Sequence, residues 1–145
     1  MLKPMDILKF LSDNIYLVIL ASVSGGMLAW PMLRGSLGSS AAINTLQATQ
    51  MINQQDALML DVRDAAAFAE GHILNARNIP LAQLAARAAD LGKQKDRGKP
   101  IIVHCETGSR STGAVTVLNK QGFEKVFTLS GGLAAWKQAG LPTEK

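Results

Sequence analysis

Between Asp13 and Arg34 the chain runs for twenty residues without a charge, NIYLVILASVSGGMLAWPML. As a helix rising about 1.5 Å per residue such a stretch is roughly 30 Å long, the thickness of a bilayer's hydrocarbon core. Residues 14–33 therefore read as one membrane-spanning helix. Tyr16 and Trp30 sit near its two ends, where amphipathic rings favour the headgroup region, and Pro31, Arg34 and Gly35 close it. Two other readings compete. A cleaved signal peptide finds a weak cleavage-like site at Ser39-Ser40-Ala41, but the apolar run exceeds a usual signal core, and Asp6 and Asp13 stand beside Lys3 and Lys9 ahead of it. A buried helix of a soluble protein fits less well, because the run is apolar on every side. Ala21, Gly25 and Ala29 fall four apart, a spacing that lets two membrane helices approach, although small residues are common in such helices. Lys3, Lys9 and the amino terminus against Arg34 lean toward an N-terminus on the inside.

This run divides the 145 residues into an N-terminal segment (1–34), a flexible tether (35–42, GSLGSSAA) and one domain (43–142). About a hundred residues suffice for one core but not two. The single cysteine, Cys105, excludes an internal disulfide framework. One Cys and two His, with His72 far from His104, give no zinc-ligand spacing, so no metal and no cofactor are expected. Residues 34–145 carry thirteen Lys/Arg against nine Asp/Glu, an excess too diffuse to argue for nucleic acid.

Beyond the tether, short apolar runs alternate with helical patterns, the order that builds a parallel sheet covered by helices. The patterns predict helices over about 45–53 (capped by Thr45), 65–70, 81–91, 111–121 and 132–139. Strands are expected at 57–62, 101–104 and 126–129, with an extended segment at 78–80 because Pro80 keeps Ile79 out of the helical region. Residues 92–100, GKQKDRGKP, read as a charged surface loop, solvated or touching anionic lipid.

Cys105 closes the strand Ile101-Ile102-Val103-His104 and is followed by Glu106-Thr107-Gly108-Ser109-Arg110 and then a helix. Ligands of open α/β sheets bind at the carboxyl ends of strands. A small-residue loop running into a helix aims N–H groups and the positive helix end at one point, which is where an anion or a thiolate is stabilised. Arg110 adds a full charge and a planar fork. The alternative is a cysteine that is merely a small buried hydrophobe.

The run His104-Cys105-Glu106-Thr107-Gly108-Ser109-Arg110-Ser111 resembles the active-site loop of the rhodanese family of sulfurtransferases. Leu60-Asp61-Val62-Arg63 with Phe68, Glu70-Gly71-His72-Ile73, Ala76 and Asn78-Ile79-Pro80 is similar to the family's N-terminal signature, and Ser130-Gly131-Gly132-Leu133-Ala134-Ala135-Trp136 to its C-terminal one. The resemblance implies a rhodanese-like α/β domain, a central parallel β-sheet flanked by α-helices on both sides, here preceded by the transmembrane helix. It implies that Cys105 accepts a sulfane sulfur atom as a persulfide and passes it to a thiol acceptor, with Glu106, Thr107, Gly108 and Ser109 as an amide cradle and Arg110 as the anion-binding residue. Asp61, Arg63 and Glu70 read as structural support beneath the site, and His72, His104 and Trp136 as structural residues. Many family members carry a basic residue where this chain has Glu106; a carboxylate there should weaken the attraction of an anionic donor and raise the thiol's pKa. The implied donor is accordingly thiosulfate, a low-charge donor or a persulfide-bearing protein.

Two other functions compete. Related phosphatase and arsenate reductase loops place five residues between Cys and Arg, whereas this chain has four. An idle binding module on the same fold would keep a partner near the membrane. A persulfide carrier needs a reduced thiol, so the catalytic domain is expected on the cytoplasmic side of a bacterial-type inner membrane, against the weak charge lean.

Overall fold

The computed structural model describes residues 4–35 and 41–145. The expected tether at 35–42 lies mostly outside them. The chain divides into two units, Met1–Ser39 and Ser40–Lys145.

The first unit holds α1 (Pro4–Asp13) and α2 (Ile15–Gly35). Asn14 separates them: its side-chain amide (2.9 Å) and its backbone N–H (3.1 Å) both donate to the Phe10 carbonyl at the end of α1, while its own carbonyl accepts from the N–H groups of Leu17 and Val18. Among the described residues no single helix is long and apolar enough to cross a membrane. Asp6–Asp13 and Ile15–Trp30, bent by 83°, pass that test of length and composition only as a pair. The uninterrupted span expected over 14–33 is therefore not borne out by the helices themselves.

The second unit runs β1 (Ala41–Ile43), α3 (Thr45–Gln55), β2 (Leu58–Asp61), α4 (Ala65–Glu70), β3 (His72–Ile73), β4 (Arg77–Asn78), α5 (Leu81–Arg87), a 3-10 turn (Ala88–Leu91), α6 (Gly92–Asp96), β5 (Ile101–His104), α7 (Ser111–Lys120), β6 (Val126–Leu129), α8 (Gly132–Gln138) and β7 (Thr143–Glu144). Five strands form a parallel sheet in the order β1-β6-β5-β2-β4, and β3 pairs antiparallel with β7. Alternate strand residues face opposite sides. Leu60, Ile101, Val103 and Val126 pack with Leu84 of α5 and Ala114 and Leu118 of α7. Met59, Ile102 and Leu129 pack with Ala48 of α3 and Leu133 and Trp136 of α8. Both faces are thus covered, as a parallel sheet requires.

Several local expectations need correction. Ala41 and Ala42 belong to β1, paired with Phe127 and Thr128, not to the tether. Asn44 rather than Thr45 caps α3: its side chain accepts from Gln47 N–H (2.8 Å) while the Gln47 side chain accepts from Asn44 N–H (3.0 Å). The helix expected over 81–91 tightens into the 3-10 turn after Arg87, keeping Leu84, Ala88 and Leu91 buried, and α6 occupies part of the expected loop. Register then positions the site. Asp61 at the end of β2 lies beside His104 at the end of β5, so the loops carrying Arg63 and Cys105 leave the sheet side by side.

Candidate active site

Cys105 is 2% exposed and sits where β5 ends, at the floor of a cavity of about 330 Å³. The loop after it curls back on the sulfur. The N–H groups of Gly108 (3.0 Å) and Arg110 (3.4 Å) and the Ser111 hydroxyl (3.5 Å) all donate to Sγ. Burial pushes the thiol up. The Ser111 hydroxyl and the amides of Arg110, Gly108 and Thr107 more than offset it, so Cys105 lies below its ordinary range. Gly108, at φ +95, supplies a turn that an L side chain would resist.

The loop is held from behind. Leu133 N–H donates to the Cys105 carbonyl (2.9 Å) and Ala134 N–H to that of Glu106 (3.1 Å), docking the start of α8 against the loop. Gly132 allows this approach: a Cβ there would stand 2.3 Å from the Cys105 carbonyl oxygen. The Ser130-Gly131-Gly132 stretch is legible in the sequence as a motif, but its purpose is this contact.

Arg63 reaches across the mouth. Its Nε donates to Asp61 Oδ1 and Oδ2 (3.1 Å each), Nη2 to Asp61 Oδ2 and the Gly71 carbonyl (2.8 Å each), and Nη1 to Glu106 Oε2 (3.0 Å). Burial opposes the guanidinium charge, and Asp61 with Glu106 more than restores it. Asn78 clamps the segment from β4, its side-chain amide donating to the Asp61 (3.1 Å) and Arg63 (2.9 Å) carbonyls. Glu106, expected to raise the thiol's pKa, turns its carboxylate to Arg63 instead, and the thiol is lowered.

Arg63, Cys105, Glu106, Thr107, Ser109 and Arg110 line one cavity, joined by Asp64 and Ala67. Gly108 contributes its amide and Asp61 lies fully buried beneath, bound to Arg63. Arg110 is exposed at the rim with no side-chain hydrogen bond or ion pair among the described residues. Glu70 ends α4; His72 packs flat on Phe68, and its Nδ1 lies 2.9 Å from the Phe68 carbonyl oxygen. His104 is fully buried on the other side of β5, where burial pushes its imidazole below the ordinary range against the pull of Asp61. Ser111 and Asp64 were not singled out by the sequence. Ser111 could have been: it is the hydroxyl residue that directly follows the loop begun by Cys105, at the first position of α7. Among the described residues no cluster of ligating side chains suits a metal. Chemically, the arrangement presents a thiol whose anion the loop stabilises, at the end of a pocket with the Arg110 guanidinium, unpaired among the described residues, at its edge.

A family model for the rhodanese-like domain matches residues 45–139. An uncharacterized protein of Synechocystis is 41% identical over 97 residues, 66% of this chain and 52% of its own, so this chain spans about half the length of that relative. An uncharacterized protein of Buchnera aphidicola is 33% identical over 141 residues, 94% of both chains. A thiosulfate sulfurtransferase, GlpE, of Coxiella burnetii is 34% identical over 95 residues, 66% of this chain and 85% of its own. The crystal structure of a rhodanese-related protein from Thermoplasma volcanium superposes with a TM-score of 0.62 at 30% identity, covering 72% of this chain and 97% of that one.

Proposed function

The chain belongs to the rhodanese-like family, and we propose that it is a sulfurtransferase that carries sulfane sulfur on Cys105 and is anchored to a membrane by its N-terminal unit. The observation that carries the reading is the convergence of two loop amides and the Ser111 hydroxyl on Sγ at the floor of the cavity, with Arg110 at its rim. The Cys105 thiolate attacks the outer sulfur of a donor. With thiosulfate, the Cys105 S–S bond forms as the S–SO₃ bond breaks, and sulfite leaves with the electron pair. An acceptor thiolate then attacks the outer sulfur of the persulfide, forming its own S–S bond and returning the Cys105 thiolate. One transfer becomes two displacements, and the same amides stabilise the anion before and after each. Arg110 draws the anionic donor to the cavity, and Arg63 neutralises Glu106 beside it.

The N-terminal unit supplies the anchor in this reading. Its support is the uncharged run, the helical α2 and the Buchnera relative, which is similar across this segment as well. The bend at Asn14 lets α1, with Ile7, Leu8 and Phe10 exposed, lie along the headgroup plane while α2 enters the bilayer. The catalytic domain faces the cytoplasm, where a lone thiol stays reduced.

Incubating the chain with thiosulfate and measuring its intact mass tests the reading. The expected result is the gain of one sulfur atom, absent in Cys105→Ser and removed by a small thiol. No gain from thiosulfate, a glutathione persulfide or a persulfidated protein would leave an idle module as the better account.

A further inference from the structure

The strands of the large sheet run parallel, so the loops that precede them gather at the end opposite Cys105. Two adjoining hollows lie there, sharing Lys99. One, of about 240 Å³, is lined by Lys95, Lys99 and Lys125 with Phe123 and Glu124. The other, of about 200 Å³, is lined by Arg77, Lys93, Arg97 and Lys99 with Asp56 and Asp90. With Lys120 at the end of α7 and Asp96 in α6, this end holds seven Lys/Arg against four Asp/Glu, while residues 41–145 as a whole hold twelve against nine. The domain's entire positive excess therefore sits opposite the thiol. Lys99 pairs with Asp56, and Lys95 donates to the Gln121 carbonyl (3.0 Å) over the Phe123 ring. Lys93, Lys120 and Lys125 are exposed, with no side-chain hydrogen bond or ion pair among the described residues.

The chain also enters the domain at this end. Ala41, the first residue of β1, lies beside Phe127, two residues beyond Lys125. Only residues 36–40 separate Ala41 from α2, a reach of at most about 22 Å, or under three screening lengths at physiological salt. We propose that this basic end is a docking surface for anionic phospholipid headgroups, which turns the Cys105 cavity away from the bilayer and toward donors and acceptors in solution. The inference rests on the membrane reading of the N-terminal unit. Exposed lysines beside an anionic leaflet are each attracted to it, and the short tether removes most of the entropy cost of bringing them there. Nucleic acid is a poorer occupant, because Phe123, the aromatic side chain lining these hollows, is buried and offers bases no platform.

The test uses the full chain reconstituted into vesicles of phosphatidylcholine alone or with about a third phosphatidylglycerol, a composition that gives a negative surface potential. Lysine acetylation by a membrane-impermeant reagent is read by mass spectrometry. Lys93, Lys120 and Lys125 are expected to react several-fold more slowly on the anionic vesicles, the difference collapsing in high salt and in a Lys93→Glu/Lys125→Glu variant that still gains sulfur on Cys105. Carbonate extraction of the same vesicles reports the anchor separately. If the chain is retained and the lysines react equally on both lipids, the docking surface is overturned and the anchor stands. If the chain is washed out yet salt-sensitive protection persists, the anchor fails and the docking surface stands. Protection by RNA but not by anionic vesicles overturns the lipid assignment.

Discussion

Gly132 is the position at which a single methyl group should disable the site without touching the cavity. It opens α8 at φ +58, and a Cβ there would stand 2.3 Å from the Cys105 carbonyl oxygen and 2.8 Å from that of Glu106. Both obstacles are backbone of the reactive loop, so Gly132→Ala must drive α8 and the loop apart by roughly 1 Å to restore ordinary contact. That displacement breaks the hydrogen bonds from Leu133 N–H and Ala134 N–H, each worth about 1 kcal/mol. Alanine in the left-handed region adds about 1–2 kcal/mol. The expected loss is therefore about 3–4 kcal/mol from a domain stability of order 5–15 kcal/mol. The neighbouring Gly131, at φ +74, is the control. A Cβ there would clash with the Ala135 side chain, 2.6 Å away, and not with the loop, so Gly131→Ala combined with Ala135→Gly should cost the backbone strain and about 1 kcal/mol for glycine inside α8, and leave the alkylation profile unchanged. Urea unfolding followed by circular dichroism gives the stabilities, and the pH dependence of Cys105 alkylation reports whether the amides still face the sulfur. A Gly132→Ala protein with unchanged unfolding midpoint and alkylation profile would refute the claim that α8 holds the loop.

Other substitutions separate the remaining roles. Ser111→Ala removes a donor to the thiolate, so the rising limb of the alkylation and sulfur-transfer pH profiles should move to higher pH, with rates at neutral pH several-fold lower; an unmoved limb would count against Ser111. Arg110→Ala should raise KM for thiosulfate while leaving the Cys105 alkylation limb nearly in place, because the backbone N–H of residue 110 still donates to Sγ. Glu106→Gln should raise kcat/KM for the doubly charged thiosulfate and change stability by less than about 1 kcal/mol, as its carboxylate is mostly exposed and the buried Arg63 keeps Asp61 as its partner. His104 is held neutral by burial, so its folded pKa is below its unfolded one. Its contribution to stability is then full above about pH 6.5 and declines as pH falls, by at most about 1.4 kcal/mol per pH unit. Denaturation at a series of pH values should show that slope, and His104→Phe should flatten it.

The parts of the fold that could be read from the sequence are those with a local cause. Ile101-Ile102-Val103 is a buried strand because three β-branched residues in a row fit nothing else as well, and α7 follows because the loop after Cys105 can only end in a helix that covers it. The short pair β3 and β7 shows no period, being two residues long, and exists because chain neighbours bring His72 opposite Glu144. The split of the helix after Arg87 leaves Leu84, Ala88 and Leu91 buried, so the spacing of those residues does not reveal it.

Glu106 shows why the site was less legible than the fold. In sequence it stands next to Cys105, and a carboxylate beside a thiol argues for a raised pKa. In the structure the nearest cation to that carboxylate is Arg63, forty-three positions earlier, and Arg63 is aimed by Asp61 from below and by the Gly71 carbonyl from the side. The Asp61–His104 register fixes the distance between those two stretches, so the electrostatics at Cys105 depend on strand pairing that adjacency cannot convey. The donors to Sγ are backbone amides, whose directions come from φ and ψ and not from residue identity. A charge count along the loop therefore gave the wrong sign for the thiol, because it weighed the one side chain that is neutralised elsewhere and left out the amides that set the sulfur's environment.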